Sequence, residues 1–193
     1  DYKYDIRYRV REQTKTIAEI QHPSVRECLK FLDFDSRGIE IQHNADLPSM
    51  SGLASSSAFT VGLLNALYAL KGRLITKRQL ALDAIHVEQN LIKENVGSQD
   101  QTAVAFGGFN KIECGGTRKI WVQNITLDQV KRDFFERHFM LFFTGFPRNA
   151  SDIAAEQIKN TPNKITELKA MMEMVDESVN ILNGEPENYI DFG

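Results

Sequence analysis

Between Asp46 and Leu70 a loop of small and polar residues, Asp46-Leu-Pro-Ser-Met-Ser-Gly-Leu-Ala-Ser-Ser-Ser57, runs straight into an apolar stretch that ends at Leu70. This segment constrains the fold more than any other. The apolar run predicts a helix over about Ser56–Leu70 that is largely buried, so its N-terminus must open onto the loop. Gly52 carries no Cβ to block close backbone approach, and Ala54, Ser55, Ser56 and Ser57 keep the opening unobstructed. A helix start presents unpaired N–H groups and the positive end of its dipole, so an anion such as a phosphate would be held there. The alternative is that the serines cap a buried helix, which engages one of them and not three in a row.

The surrounding pattern mixes strands and helices. Apolar residues on the even positions from Tyr2 to Val10 predict a half-buried antiparallel strand. His22-Pro23-Ser24 opens a helix, and Gly38–Gln42 reads as a second strand. A helix is expected from Thr76 to Glu94, followed by a polar turn from Asn95 to Gln101. Two strands, 109–114 and 119–125, then precede a short helix over 128–137. The aromatic run His138–Thr144 reads as a buried strand, with further helices over 151–160 and 163–183. Without strict βαβ alternation the class expected is α+β.

Composition narrows the function classes. The chain has 193 residues with 42% apolar and 25% charged, so one or two domains can form without a disulfide scaffold. Cys28 and Cys114 lie far apart and outside any CxxC, which suits reduced thiols and a cytoplasmic location. Twenty-three Lys and Arg against 26 Asp and Glu give a formal charge of −3, removing the electrostatic case for nucleic-acid or anionic-membrane partners. No apolar run approaches the ~18 residues of a spanning helix. The dinucleotide, P-loop, GxSxG and HExxH signatures are absent. His86-Val-Glu88 lacks the P-C-x-x-C that a zinc deaminase needs, and the closing Asp191-Phe-Gly193 has no HRD-type loop before it.

Glu88 and Asp100 form a second candidate pair. If the third helix packs on the first, both acids return to the glycine loop. One would serve as a Mg²⁺ ligand and the other would accept a proton from a substrate hydroxyl. Taken without the loop, the plainer reading prevails, with Glu88 a solvated helical residue and Asp100 an Asx-type turn former.

Together these residues resemble the GHMP kinases, whose central phosphate-binding motif runs Pro-x-x-x-Gly-Leu-small-Ser-Ser, matched here by Pro48 to Ser57. Within that superfamily, residues 57–67, Gly97-Ser-Gln-Asp-Gln101 and Ala105-Phe-Gly-Gly-Phe-Asn110 resemble the D-glycero-D-manno-heptose 7-phosphate kinases. So do His22-Pro-Ser-Val-Arg-Glu27 and Thr144-Gly-Phe-Pro-Arg-Asn-Ala-Ser151.

The resemblance implies a GHMP kinase fold with a ribosomal protein S5 domain 2-like N-terminal domain over 1–133 and a ferredoxin-like C-terminal domain over 134–193, both incomplete. It implies ATP and Mg²⁺ as cofactors and a sugar or sugar phosphate as acceptor. Pro48 and Ser51, Gly52, Leu53, Ala54, Ser55, Ser56 and Ser57 would wrap the ATP phosphates. Ser56 and Glu88 would hold Mg²⁺, and Asp100 would be the base toward the sugar hydroxyl. By charge and location Arg148 could make a bidentate contact to a substrate phosphate, although a solvated surface arginine is the plainer reading. Two departures stand out: neither a Gly-Gly-Gly-Thr-Asp-like first strand nor a late Gly-rich motif is present, and Ala54 replaces the commoner Gly. The chain therefore reads as the central portion of a kinase. Another sugar 1-kinase, of fucokinase or galactokinase type, and a non-catalytic nucleotide-binding relative are the competing readings. Oligomeric state is open, a homodimer included.

Overall fold

The computed structural model describes residues 2–46, 52–115, 119–142 and 150–192, with 150–152 and 186–188 described by backbone alone. It divides into two compact units, one of Asp1–Gly107 with Phe146–Ala154, the other of Gly108–Gly145 with Ala155–Gly193. Helices and sheets are mixed in the α+β manner expected.

The first unit contains a three-stranded sheet in the order β2 (Arg11–Thr14), β1 (Tyr4–Arg7), β3 (Ile39–Gln42). β1 pairs antiparallel with β2 and parallel with β3. The alternation read as one strand over residues 2–10 is thus a strand and a turn. Tyr8 N–H donates to Val10 C=O at 2.9 Å and reverses the chain. Tyr4 and Ile6 enter the core, while Tyr2 and Val10 are exposed, so the period ran on by coincidence through the turn. On the opposite face Asp5 is not solvated either. Asp5 is 2% exposed and accepts from Arg11 at 2.6 Å, Arg7 at 3.0 Å and its cross-strand partner Gln13 at 3.3 Å.

Four helices pack on this frame. α1 (Pro23–Phe31) starts on Pro at its first turn and buries Val25, Cys28 and Leu29 at the i, i+3, i+4 spacing of an inward face. α2 (Ser55–Leu70) buries Val61, Leu64 and Leu67 and packs against α1, α3 (Lys77–His86) and α4 (Gln99–Phe106). Thr76 caps α3, its hydroxyl accepting from Gln79 N–H at 3.2 Å. These helices and β1 share one apolar core that includes Tyr4, Ile6, Leu29, Leu64, Ala84 and Val87.

In the second unit β4 (Asn110–Gly115) and β5 (Lys119–Asn124) form an antiparallel hairpin. α5 (Gln129–His138) and α7 (Ile165–Asn183) contribute Phe135 and Leu182 to a small core with Tyr189. α6 (Ala150–Asn160) lies between them in sequence. The strand expected over His138–Thr144 is not formed where the chain is described. His138 ends α5, and Phe139, Met140, Leu141 and Phe142 are 63–81% exposed. An apolar run becomes a buried strand only when a neighbouring strand takes its backbone hydrogen bonds, and none among the described residues does so. The chain divides between the units at 107/108, whereas the domain boundary expected from sequence lies near residue 133. No helix among the described residues is long and apolar enough to cross a membrane.

Candidate functional site

The N-terminus of α2 is uncapped. Its N-cap is Ala54, which has no polar side chain, and the first helical bond runs from Ala58 N–H to Ala54 C=O at 2.9 Å. The N–H groups of Ser55, Ser56 and Ser57 precede that bond and have no intrahelical acceptor. No side chain among the described residues caps them. The loop reaches this point through two left-handed residues, Gly52 at φ +78° and Ala54 at φ +57°. Glycine adopts that conformation without strain, whereas alanine's Cβ makes it costly. Gly52, Leu53 and Ser56 are exposed, Ala54 and Ser55 half-buried and Ser57 buried. Pro48, Ser51 and Arg148 lie outside the described residues.

Ser57 turns inward to Glu88. Its hydroxyl donates to Glu88 Oε2 at 2.9 Å, and the Gln101 amide nitrogen donates to the same oxygen. Glu88 is 1% exposed, and its other oxygen, Oε1, has no hydrogen-bond partner among the described residues; nor has Gln101 Oε1. The helix expected to run unbroken from Thr76 to Glu94 instead changes winding. α3 ends at His86 and a π turn follows over Val87–Ile92, with Glu88 in its first turn. Lys93 ends it at φ +66°, and the N–H groups of Lys93 and Glu94 both bond to Glu88 C=O, fixing this residue's backbone. Burial, and after it the Glu88 charge, raise the pKa of Glu94 and push the Cys28 thiol far up.

Asp100 is not in a turn. The loop closes at Ser98 and α4 begins at Gln99, which puts Asp100 half-buried in the first turn of a helix. The Gln89 amide clamps the loop by donating to Val96 C=O at 2.9 Å and Gly97 C=O at 3.2 Å. Thr102 Oγ1 bonds Ser98 C=O at 2.6 Å and fixes the helix start. Asp100 makes no side-chain hydrogen bond among the described residues, and its chain neighbour Gln101 touches Glu88. The two acids singled out from sequence are therefore brought to one neighbourhood by α2, the π turn and α4.

Gln101 was not among the expected site residues. Its one sequence signal is its place beside Asp100 in the Gly-Ser-Gln-Asp-Gln run; its burial depends on how α4 packs on α2.

A carboxylate oxygen buried without a donor calls for a cation or a ligand group. Among the described residues no three His, Cys, Asp or Glu side chains form a metal cluster. An ion here would take few protein oxygens, as Mg²⁺ does when phosphates and water complete its octahedron. The donor set fits that ion.

Residues 23–108 match the family described as GHMP kinases N terminal domain. They resemble a GHMP kinase N-terminal domain. The α2 start, the π turn and α4 all fall inside it. Within the curated proteins, a D-glycero-alpha-D-manno-heptose 7-phosphate kinase of Campylobacter jejuni is 31% identical over 109 residues, 56% of this chain and 32% of that protein. The chain thus spans about a third of that relative's length. Among solved structures, a D-glycero-D-manno-heptose 1-phosphate kinase from Bacteriodes thetaiotaomicron superposes with a TM-score of 0.60 at 20% identity, covering 67% of this chain and 46% of that one. At that identity the likeness establishes a shared fold.

Proposed function

We propose that the protein is an ATP-dependent kinase that transfers the γ-phosphoryl group to a sugar hydroxyl, the anomeric hydroxyl of D-glycero-D-manno-heptose 7-phosphate. The observation that carries this reading is the junction of Glu88 with the first turn of α2: a buried carboxylate with one oxygen, beside three N–H groups, that have no partner among the described residues. The GHMP domain match and the curated heptose 7-phosphate kinase relative support the acceptor class.

In this reading the N–H groups of Ser55, Ser56 and Ser57, with the loop from Pro48 to Ala54, bind the ATP phosphates and hold them in line with the acceptor. Glu88 Oε1 and the exposed Ser56 hydroxyl are the residues that would hold Mg²⁺, which supplies charge neutralisation on the phosphates when bound. Asp100 accepts the acceptor hydroxyl's proton as the new P–O bond forms and the bond to ADP breaks. Arg148 would pair with the phosphate already on the sugar.

Phosphorus NMR of the product tests the assignment. The proposal requires a new phosphate coupled to the anomeric proton of the heptose. A phosphate on any other carbon overturns the regiochemistry, and transfer only to unphosphorylated galactose or fucose overturns the heptose assignment.

A further inference from the structure

We infer that Gln101 is a positioning residue that orients Glu88 toward the metal. This rests on the kinase reading above, because it takes Glu88 as the metal ligand.

A free glutamate carboxylate rotates about its last bond, and its two oxygens are equivalent. Here two donors from different helices converge on one of them. Ser57 approaches Oε2 from α2 and the Gln101 amide approaches it from α4, so the carboxylate plane is fixed and Oε1 is the oxygen left over. Gln101 is 0% exposed and cannot turn its amide to bulk water. Stability alone does not explain it. An apolar side chain of similar volume would take one of two donors from Oε2, but it would bury no carbonyl that lacks a partner among the described residues. What the amide adds is a donor on Oε2 together with its own free Oε1, an acceptor for a water of the ion's shell.

The rest of α4 supports the placement. Gln89 clamps the preceding loop, Thr102 fixes the helix start and Lys77 Nζ donates to Phe106 C=O at the helix end. Gln101 is thereby held at a set height against the π turn that carries Glu88. Groups that orient a ligand from behind are worth about 10–100-fold in metal affinity.

Manganese binding read by electron paramagnetic resonance, with ADP present, tests the inference without relying on turnover. Gln101→Met should weaken Mn²⁺ binding about 10–100-fold. The affinity for ADP without metal should stay near that of the unaltered protein, and the unfolding temperature should fall no further than in Ser57→Ala, which also removes one donor to Glu88. Wild-type Mn²⁺ affinity in Gln101→Met, alongside a large loss in Glu88→Gln, overturns the positioning role and leaves the kinase reading intact. No loss in Glu88→Gln removes Glu88 as a metal ligand, and the inference with it. If Gln101→Met does not fold, Gln101→Asn keeps the amide and shortens its reach: weakened Mn²⁺ binding supports the role, and unchanged binding overturns it.

Discussion

The hydroxyl of Ser57 and the carboxylate of Glu88 are 31 positions apart in sequence and joined by a buried 2.9 Å hydrogen bond. That bond ties the first turn of α2 to the π turn after α3. Ser57→Ala removes one of the two donors to Glu88 Oε2 and should destabilise the protein by about 1–3 kcal/mol. Urea unfolding of the variant checks this; a change below ~0.5 kcal/mol would mean that Gln101 alone satisfies the oxygen.

Ala54 sits in the left-handed region at φ +57°, where an L side chain costs about 1–2 kcal/mol. Ala54→Gly relieves that strain and loses part of the gain to the greater freedom of glycine in the unfolded chain. The expected net effect is a stabilisation of about 0.5–1 kcal/mol, read as a higher unfolding temperature. Destabilisation would show that the methyl group packs productively.

Asp5 links acid stability to the β1–β2 hairpin. Hydrogen bonds from Arg11 and then Arg7 hold its pKa well below the usual carboxylate range. Its contribution is therefore complete above its unfolded pKa of about 3.9 and is lost as pH falls toward the lower folded value. Denaturation midpoints between pH 2 and 5 should decline less steeply in Asp5→Asn than in the unaltered protein. Parallel declines would show that other carboxylates set the acid limit.

The two thiols should differ sharply. Cys28 is fully buried, and burial followed by the Glu88 charge pushes its thiol up, whereas Cys114 is exposed. A colourimetric thiol reagent should titrate one cysteine in the native protein and two in denaturant. Cys114→Ser should abolish the native reaction. Rapid labelling of Cys28 in that variant would mean that α1 opens from the π turn.

The parts of the site that were legible in sequence are those set by local chemistry. A glycine, small residues and serines before an apolar run state where α2 begins, and Glu88 and Asp100 become candidates only when read together with that loop. What could not be read depends on packing. Nothing in the sequence around Val87 announces a π turn, because the extra residue per turn is fixed by the neighbours of Glu88. Gln101 reads as an ordinary polar residue until α4 is laid on α2. Asp5 looks solvent-facing until β2 folds back and delivers Arg11 and Gln13, and the run at Phe139–Phe142 looks buried only because hydrophobicity was read without a strand partner to receive it.

The central claim is that this site transfers phosphoryl groups to a sugar with Asp100 as base. Coupled ADP release from the full-length protein, measured across free and phosphorylated sugars for the unaltered protein and Asp100→Asn, tests it most directly. The account predicts ADP release dependent on D-glycero-D-manno-heptose 7-phosphate, reduced about 100-fold or more in Asp100→Asn, with ADP still protecting the variant against heat. Release that no sugar stimulates, or turnover unchanged by the substitution, would contradict it.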